Sequence, residues 1–565
     1  MDRIQDYLGR EERLLQARRL HDYLWQELAD YLLPSAASIS LYRTPGERRT
    51  QRLYDSTGLT AAAELAATIY GTMTNPATNW MSLEFESDEL QDGEGALWLE
   101  QVGHLLLSDY ARSNAYQIFH EADHQLVVFG TSCIYADEMP SMTAGWNGYR
   151  FMLLPIGTFC IEEGASGRID TVARTIALSA RQAAQEFGYA ALAPKVKKDL
   201  EDPKKQDDVT QYLHMVAPRE PWMRQGKRGQ RGMAFESVYV DKANKHIVME
   251  GGYEEFPFFV TRWAKTVDNT QYGTGQGGQY VNSPWGYGPG HLALPDVKTL
   301  NKIKEWGLLA LPIHLYPPAI TDDDSVIGTF DMTPGAINVV RRGAQVTPYQ
   351  LGGNPRLVEM DMAQLVSSIE RIFLRDQILA LPKAGEGQMT AFEVAQRIER
   401  TQQVMGPMFS RLTYEQFDPM AARTFGLRLR AGAIPEMPYE VAAAAAEAGG
   451  RIRVKYEGPL AKAQRASELD AIMRTYQFAG SIAQMMGDAR AFEGLNEEEA
   501  VRVYAEIIGV PAKVLRSLRE VAQMRVQRQQ AAQQQAEQAG QVQASEAARN
   551  TAPFLREIQS GAGAA

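Results

Sequence analysis

The sequence predicts a mixed α+β chain, predominantly helical and built from several packed regions. Three observations carry this. Residues 3–33 and 97–128 place apolar side chains at helical spacing, residues from Gly130 to about Trp263 break into short alternating runs, and a chain of 565 residues exceeds what one hydrophobic core fills.

From Arg3 to Leu33, Leu14, Leu15, Trp25, Leu28, Tyr31 and Leu32 recur among charges until Pro34 stops the pattern, so this is an amphipathic helix. Asp55-Ser56-Thr57-Gly58 announces a second helix through the small-residue stretch Ala61 to Tyr70, closed by Gly71 and Asn75-Pro76. Leu97 to Tyr110 and Tyr116 to Val128 fit two more. Runs such as Cys133-Ile134-Tyr135 and Phe151-Met152-Leu153-Leu154 then mark mixed sheet and loop. Glycine is dense between Tyr272 and Gly290, with Pro284 and Pro289 interspersed, which reads as a junction built from turns.

Pro295 to Leu311 is the next expected helix, with Asp296 in its first turn and Pro312 as its stop. A β-rich insert, Tyr316 to Tyr349, separates it from a second helix, Arg356 to Leu379. Two helices flanking a compact insert form a natural projecting hairpin. Residues 382–387 read as a flexible loop, and Thr390 with Glu393 forms a capping box opening a helix that runs to about Arg430, with a bend expected at Gly406-Pro407. From Val521 to Ala548 the composition turns to Gln, Ala, Glu and Arg, which fits either a helix supported by neighbouring copies or a disordered tail.

Apolar residues make up 45% and charged residues 22% of the chain, a folding composition. The net charge of −11 excludes a sequence-independent grip on nucleic acid by the molecule as a whole, so any such contact must be local. Cys133 and Cys160 are the only cysteines, too few for a disulfide framework, which fits folding in a reducing cytoplasm. Residues 1–19 lack the apolar stretch of a secretory signal, and no run of about eighteen apolar residues suggests a membrane span.

Several motifs carry a chemical reading beside a plainer one. His120-Glu121-Ala122-Asp123-His124 matches the zinc pattern H-E-x-x-H on a helix, which would make His120 and His124 ligands and Glu121 the general base of a metallopeptidase. The plainer reading leaves these residues solvating the polar side of an amphipathic helix whose apolar side is Ile118, Ala122, Leu126 and Val127. Gly273 to Gly278 matches G-x-G-x-x-G but lacks the following helix that would present its dipole to a pyrophosphate. No Walker-type phosphate loop occurs, so a motor would have to be another protein. Asp322-Asp323-Asp324 reads as a solvated turn in preference to a cation site. Arg341-Arg342, in the projecting insert, could meet an acidic partner or a phosphate.

Four stretches resemble the podovirus-type portal, or head-to-tail connector, family. They are Tyr54 to Gly58 leading to Leu65-Ala66-Ala67, Asn75-Pro76 and Trp80; Val128-Phe129-Gly130-Thr131; Tyr287-Gly288-Pro289-Gly290 with Ala293 to Asp296, Thr299-Leu300-Asn301 and Pro317-Pro318; and Met389 to Val394 with Arg397, Gly406-Pro407 and Tyr456 to Ala461 with Gln464. Their order and spacing match the family over most of the chain.

The resemblance implies an elongated subunit in a dodecameric ring, with a wing (1–290), a first stem helix (291–311), a clip (312–355) and a second stem helix (356–380). It further implies a tunnel loop (381–389), a long wing helix and return segment (390–470), a crown (471–515) and a barrel helix or tail (516–565). Lys383, Glu386 and Gln388 would face DNA in the channel, and Arg341 and Arg342 would meet a partner at the clip. The expected partners are double-stranded DNA, a terminase packaging motor, tail adaptor and tail proteins, and the capsid and scaffolding proteins. The expected place is the portal vertex of a virion, with neither membrane, cofactor, metal nor enzymatic role. His120 and His124 are not a feature of that resemblance.

Overall fold

The computed structural model describes residues 3–41, 43–44, 46–85, 94–139, 146–265, 271–272, 279–280, 283–315, 319–320, 329, 331, 339, 341–343, 347–348, 355–375, 405–439, 442–443, 452–456, 459–486, 495–508, 514, 521, 523–528, 530–531 and 533–534. They fall into two compact units, one of Met1–Met81, Leu105–Ile434 and Tyr456–Gln464, the other of Ser82–His104, Pro435–Lys455 and Arg465–Ala565.

The elements, in chain order, are α1 (Arg3–Leu32), α2 (Thr57–Met73), β1 (Met81–Phe85), α3 (Glu94–Arg112), α4 (Ala115–Phe129), β2 (Thr131–Glu138), β3 (Tyr149–Leu153), β4 (Phe159–Glu163) and β5 (Ile169–Ser179). Then come α5 (Ala180–Phe187), α6 (Pro194–Glu201), β6 (Val209–Pro218), α7 (Pro221–Arg224), β7 (Phe235–Asp241), β8 (His246–Tyr253) and β9 (Phe258–Arg262). After two-residue strands β10 (Gln271–Tyr272) and β11 (Gln279–Tyr280) follow α8 (Pro289–Leu315), β12 (Ala319–Ile320), β13 (Thr347–Pro348) and α9 (Pro355–Ile372), then later helices including Asp418–Arg430, Pro459–Met486 and Glu497–Ile508.

The mixed α+β expectation is met. In the first unit β4-β5-β6-β7-β8 form an antiparallel meander. Strand alternation sends Leu213, Met215, Val238 and Val240 to one face and Tyr212, Tyr239 and Val248 to the other. On the first face Ile4, Tyr7, Leu8, Leu14 and Leu15 of α1 pack; on the second, Ala180, Ala183 and Val196 of α5 and α6 do. Both faces are therefore covered, which removes the sheet's apolar surface from water. These two short helices were not legible in the sequence, where the whole stretch read as sheet and loop. A Ser179–Gln182 capping box starts α5.

A second sheet, β3-β2-β9, is also antiparallel. Beside it lies an aromatic core in which Tyr110 contacts Trp80, Phe119, Tyr149 and Phe151 at ring centroid distances of 5.8–6.3 Å. The Tyr110 and Thr424 hydroxyls share a 2.7 Å hydrogen bond, and the Tyr149 hydroxyl donates to the Thr424 carbonyl at 2.8 Å. Cys133 and Cys160 are both buried free thiols; burial pushes Cys160 up to about 11.

In the second unit, the Trp98 indole donates to the Pro435 carbonyl at 3.0 Å, and Leu99 and Val102 are buried. Among the described residues no helix is long and apolar enough to cross a membrane.

Candidate functional site

Two helices, α8 and α9, stand at the head of the insert, and the sequence explains how they are fixed. At about 1.5 Å per residue the 27 residues of α8 span roughly 40 Å. Pro295 and Pro312, expected as its boundaries, lie inside it. Its start signal is Pro289, whose missing N–H costs nothing in a first turn.

The base of α8 is anchored by close backbone approach. A Cβ on Gly286 would stand 2.0 Å from the Gly130 carbonyl oxygen, and one on Gly290 would stand 2.3 Å from that of Val128. Gly130 itself caps α4 at φ 68°, in the left-handed region. Gly286 N–H donates to Thr131 Oγ1 at 2.8 Å, and Trp263 N–H to the Gly130 carbonyl at 2.9 Å. Two of the stretches that carried the resemblance, Val128 to Thr131 and Tyr287 to Gly290, therefore touch one another. Their glycines are there because two backbones meet.

A third stretch joins them. Asn301, 4% exposed on α8, accepts from the backbone N–H groups of Tyr54 (2.7 Å) and Asp55 (3.1 Å) and donates to the Arg52 carbonyl at 2.8 Å. Lys304 pairs with Asp55, and that ion pair with the N–H of Thr57 holds the Asp55 carboxyl below its ordinary range against the opposing effect of burial, which is the largest single contribution. Ser368 of α9 donates to Asp296 of α8 at 2.6 Å, while Ile369 and Phe373 are fully buried. Arg375 reaches Glu64 of α2 at 2.7 Å.

Beyond Asn301 the character of α8 changes. Trp306, Leu308, Leu309 and Leu311 are 59%, 56%, 63% and 52% exposed, and Met360 on α9 is 63% exposed. The four large apolar residues on α8 fall within six positions and, at about 100° per residue, point to several sides of the helix; such a cluster open to solvent marks a surface awaiting partners. Past this exposed row, β12 and β13 pair antiparallel, Ala319 opposite Pro348 and Ile320 opposite Thr347, and close the neck of the insert. Arg341 and Arg342 lie in the insert and are exposed. Lys383, Glu386, Gln388, Gly273 to Gly278, Asp322 to Asp324 and the Thr390–Glu393 capping box lie outside the described residues.

The helix that ends at Arg430 holds the sheets through buried charge. A π-helical turn, Thr413–Phe417, interrupts it and turns Glu415 and Gln416 onto β9. Glu415 accepts from the Arg262 backbone N–H at 2.8 Å and from its guanidinium at 2.5 and 3.1 Å; Gln416 accepts from the Thr261 hydroxyl at 2.9 Å. Arg262, 1% exposed in its side chain, also donates to Glu163 at 2.8 Å. Arg423 pairs with Asp137 (3.0 Å) and Glu255 (3.3 Å), and Arg428 with Asp109. Helical periodicity gave no warning of the π turn, because one inserted residue looks locally like any other helical turn.

The His120–His124 segment is not the solvated polar face expected of it. His120 and Glu121 are exposed, but Asp123 is 3% exposed and His124 half-buried, because α2 packs across this side of α4. Burial pushes the Asp123 carboxyl well above its ordinary value and, aided by His120, lowers His124 to about 4. Among the described residues no group of three His, Cys, Asp or Glu side chains is placed to hold a metal ion, so the zinc reading finds no third ligand.

The arrangement is thus a rigidly based helix pair carrying an apolar stretch that is exposed among the described residues, and an insert, and residues 5–515 match the family described as bacteriophage head to tail connecting protein. The chain belongs to that family. A probable portal protein of Bordetella phage BPP-1 is 29% identical to this connector over 527 residues, covering 91% of this chain and 89% of the relative. The portal protein of Salmonella phage epsilon15 is 25% identical over 548 residues, covering 95% and 92%. Among solved structures, a chain from the neck of an empty gene transfer agent particle aligns at a TM-score of 0.36 and 12% identity, covering 79% of the connector and 95% of that chain.

Proposed function

We propose that this connector is a portal protein: a closed ring of identical subunits at one vertex of a phage head, through which double-stranded DNA is packaged and ejected. The observation that carries the reading is the exposed row Trp306, Leu308, Leu309 and Leu311 on a helix whose base is locked by Asn301, Lys304 and the Gly130–Gly286 contact. A ring of like subunits covers such a row with the neighbouring copy's stem.

On this reading residues 1–290 and 390–470 form the wing, α8 and α9 the stem and 312–355 the clip, with a crown at 471–515 and a barrel helix or tail at 516–565. The clip docks the packaging terminase and later a tail adaptor, with Arg341 and Arg342 as contacts, while Lys383, Glu386 and Gln388 line the channel. The ring supplies geometry and the motor supplies energy. Native mass spectrometry tests the reading: twelve 62.8 kDa subunits give a closed species of about 750 kDa, whereas a monomer or dimer at micromolar concentration rejects it.

A further inference from the structure

The loop between β6 and β7 departs in charge from the rest of the chain. Between Arg219 and Gly232 it carries Arg219, Arg224, Lys227, Arg228 and Arg231 against a single acid, Glu220, in a protein of net charge −11. Its base is closed: Arg219 N–H donates to the Ala234 carbonyl at 2.8 Å, and the Arg219 guanidinium donates to the carbonyls of Gln230 and Gly251, both at 2.7 Å. Its tip is open. Gly226 and Gly229, at φ 76° and 64°, have nothing within 4 Å of where a Cβ would stand.

The cations divide accordingly. Arg219 is used up in holding the loop, and Arg224 donates to the Gly232 carbonyl at 3.0 Å and lies 3.6 Å from Glu254. Arg231, 75% exposed, stands 4.0 Å from Glu250, which is already paired with Arg3 at 2.8 Å. Lys227 and Arg228 are exposed at the tip and have neither an ion pair nor a side-chain hydrogen bond among the described residues. In the same loop Trp222, on α7, is 68% exposed. Unpaired cations, Arg-Gly steps and an open indole are the chemistry that meets a nucleic-acid strand: cations on phosphate, an aromatic face for an unpaired base.

We propose that this loop is a nucleic-acid-binding surface that takes the phosphodiester backbone on Lys227, Arg228 and Arg231. The acidic remainder of the chain repels a polyanion and confines the contact to the loop. The proposal is independent of ring formation.

The test is fluorescence anisotropy of a labelled short DNA duplex, and of one of its strands alone, titrated with the full chain over a range of KCl concentrations. Each phosphate neutralised contributes about 0.9 to the log–log salt slope on duplex and about 0.7 on a single strand. Lys227→Ala combined with Arg228→Ala should lower the slope by about two contacts' worth, while Lys227→Arg keeps it. Both variants should melt with the wild type, since these side chains are exposed. Binding that weakens in Trp222→Ala on the single strand alone identifies an unpaired strand as the ligand; insensitivity on both probes identifies the duplex backbone. An absence of binding at low salt, a slope unchanged in the double variant, or preferential binding of polyglutamate that depends on Trp222 overturns the proposal, the last in favour of an acidic protein.

Discussion

Removing the Glu415 carboxylate should be among the most destabilising single changes available in the first unit. Arg262 is 1% exposed in its side chain and Glu415 7%, so the pair lies in a region where charge is poorly solvated. Glu415→Ala leaves the guanidinium with Glu163 and the Gly167 carbonyl only, and leaves the Arg262 backbone N–H without its 2.8 Å acceptor. Breaking a buried pair from one side costs about 3–5 kcal/mol, the lost backbone acceptor being part of that figure.

Glu163→Ala should cost less, about half as much, because Glu163 is 20% exposed and Glu415 still neutralises Arg262. Arg262→Met with Glu415→Leu should recover part of the loss, since an apolar pair of similar volume removes both desolvation penalties while the backbone N–H at 262 stays without its acceptor. Urea unfolding followed by tryptophan fluorescence reads all three as shifts in midpoint. A Glu415→Ala midpoint within about 0.5 kcal/mol of wild type, the size of an ordinary surface change, would refute the view that the π turn exists to place this carboxylate.

Four further outcomes are expected. Leu309→Asp should leave subunit melting unchanged, because the side chain is 63% exposed, yet abolish the ring by placing a carboxylate where about 1–2 kcal/mol of apolar burial is needed at every interface; native mass spectrometry reads the loss. Gly286→Ala should yield insoluble or strongly destabilised protein, because its Cβ would stand 2.0 Å from the Gly130 carbonyl oxygen, and circular dichroism melting checks it. Burial lowers half-buried His124 and buried His291 from 6.5 to about 4, so between those values the unfolded chain binds protons that the folded chain does not, and stability falls as pH drops through that window, as thermal melts at a series of pH values check. Asp123, raised by burial, works in the opposite sense: its stability contribution falls as pH rises past the ordinary carboxylate range, and Asp123→Asn should flatten that part of the pH dependence in thermal melts.

Much of the scaffold was legible. Sequence signals located α1, α2, α3 and α4 to within a few residues, since each buries one face against a neighbour; α9 starts where expected but ends at Ile372 and not at Leu379, because the chain turns there with Leu374 at φ 56°. Proline misled at α8: Pro295 looked like a start and Pro312 a stop, whereas the helix runs through both; at Pro295 the packing of Ala293, Val297 and Leu300 outweighs a missing hydrogen bond. The site was legible only as motif. Nothing in Thr299-Leu300-Asn301 announces that Asn301 clamps the chain 246 residues upstream, since the partner groups are backbone amides with no side-chain signature. The zinc-like pattern shows the converse, a chemical motif whose polar residues are partly buried by α2 with no third ligand beside them among the described residues.

The most direct test of the central claim is a cryo-electron microscopy reconstruction of the purified assembly. The account predicts a closed ring in which Trp306, Leu308, Leu309 and Leu311 are buried against the neighbouring subunit's stem. A ring held together by other elements, with these four side chains still facing solvent, would contradict it.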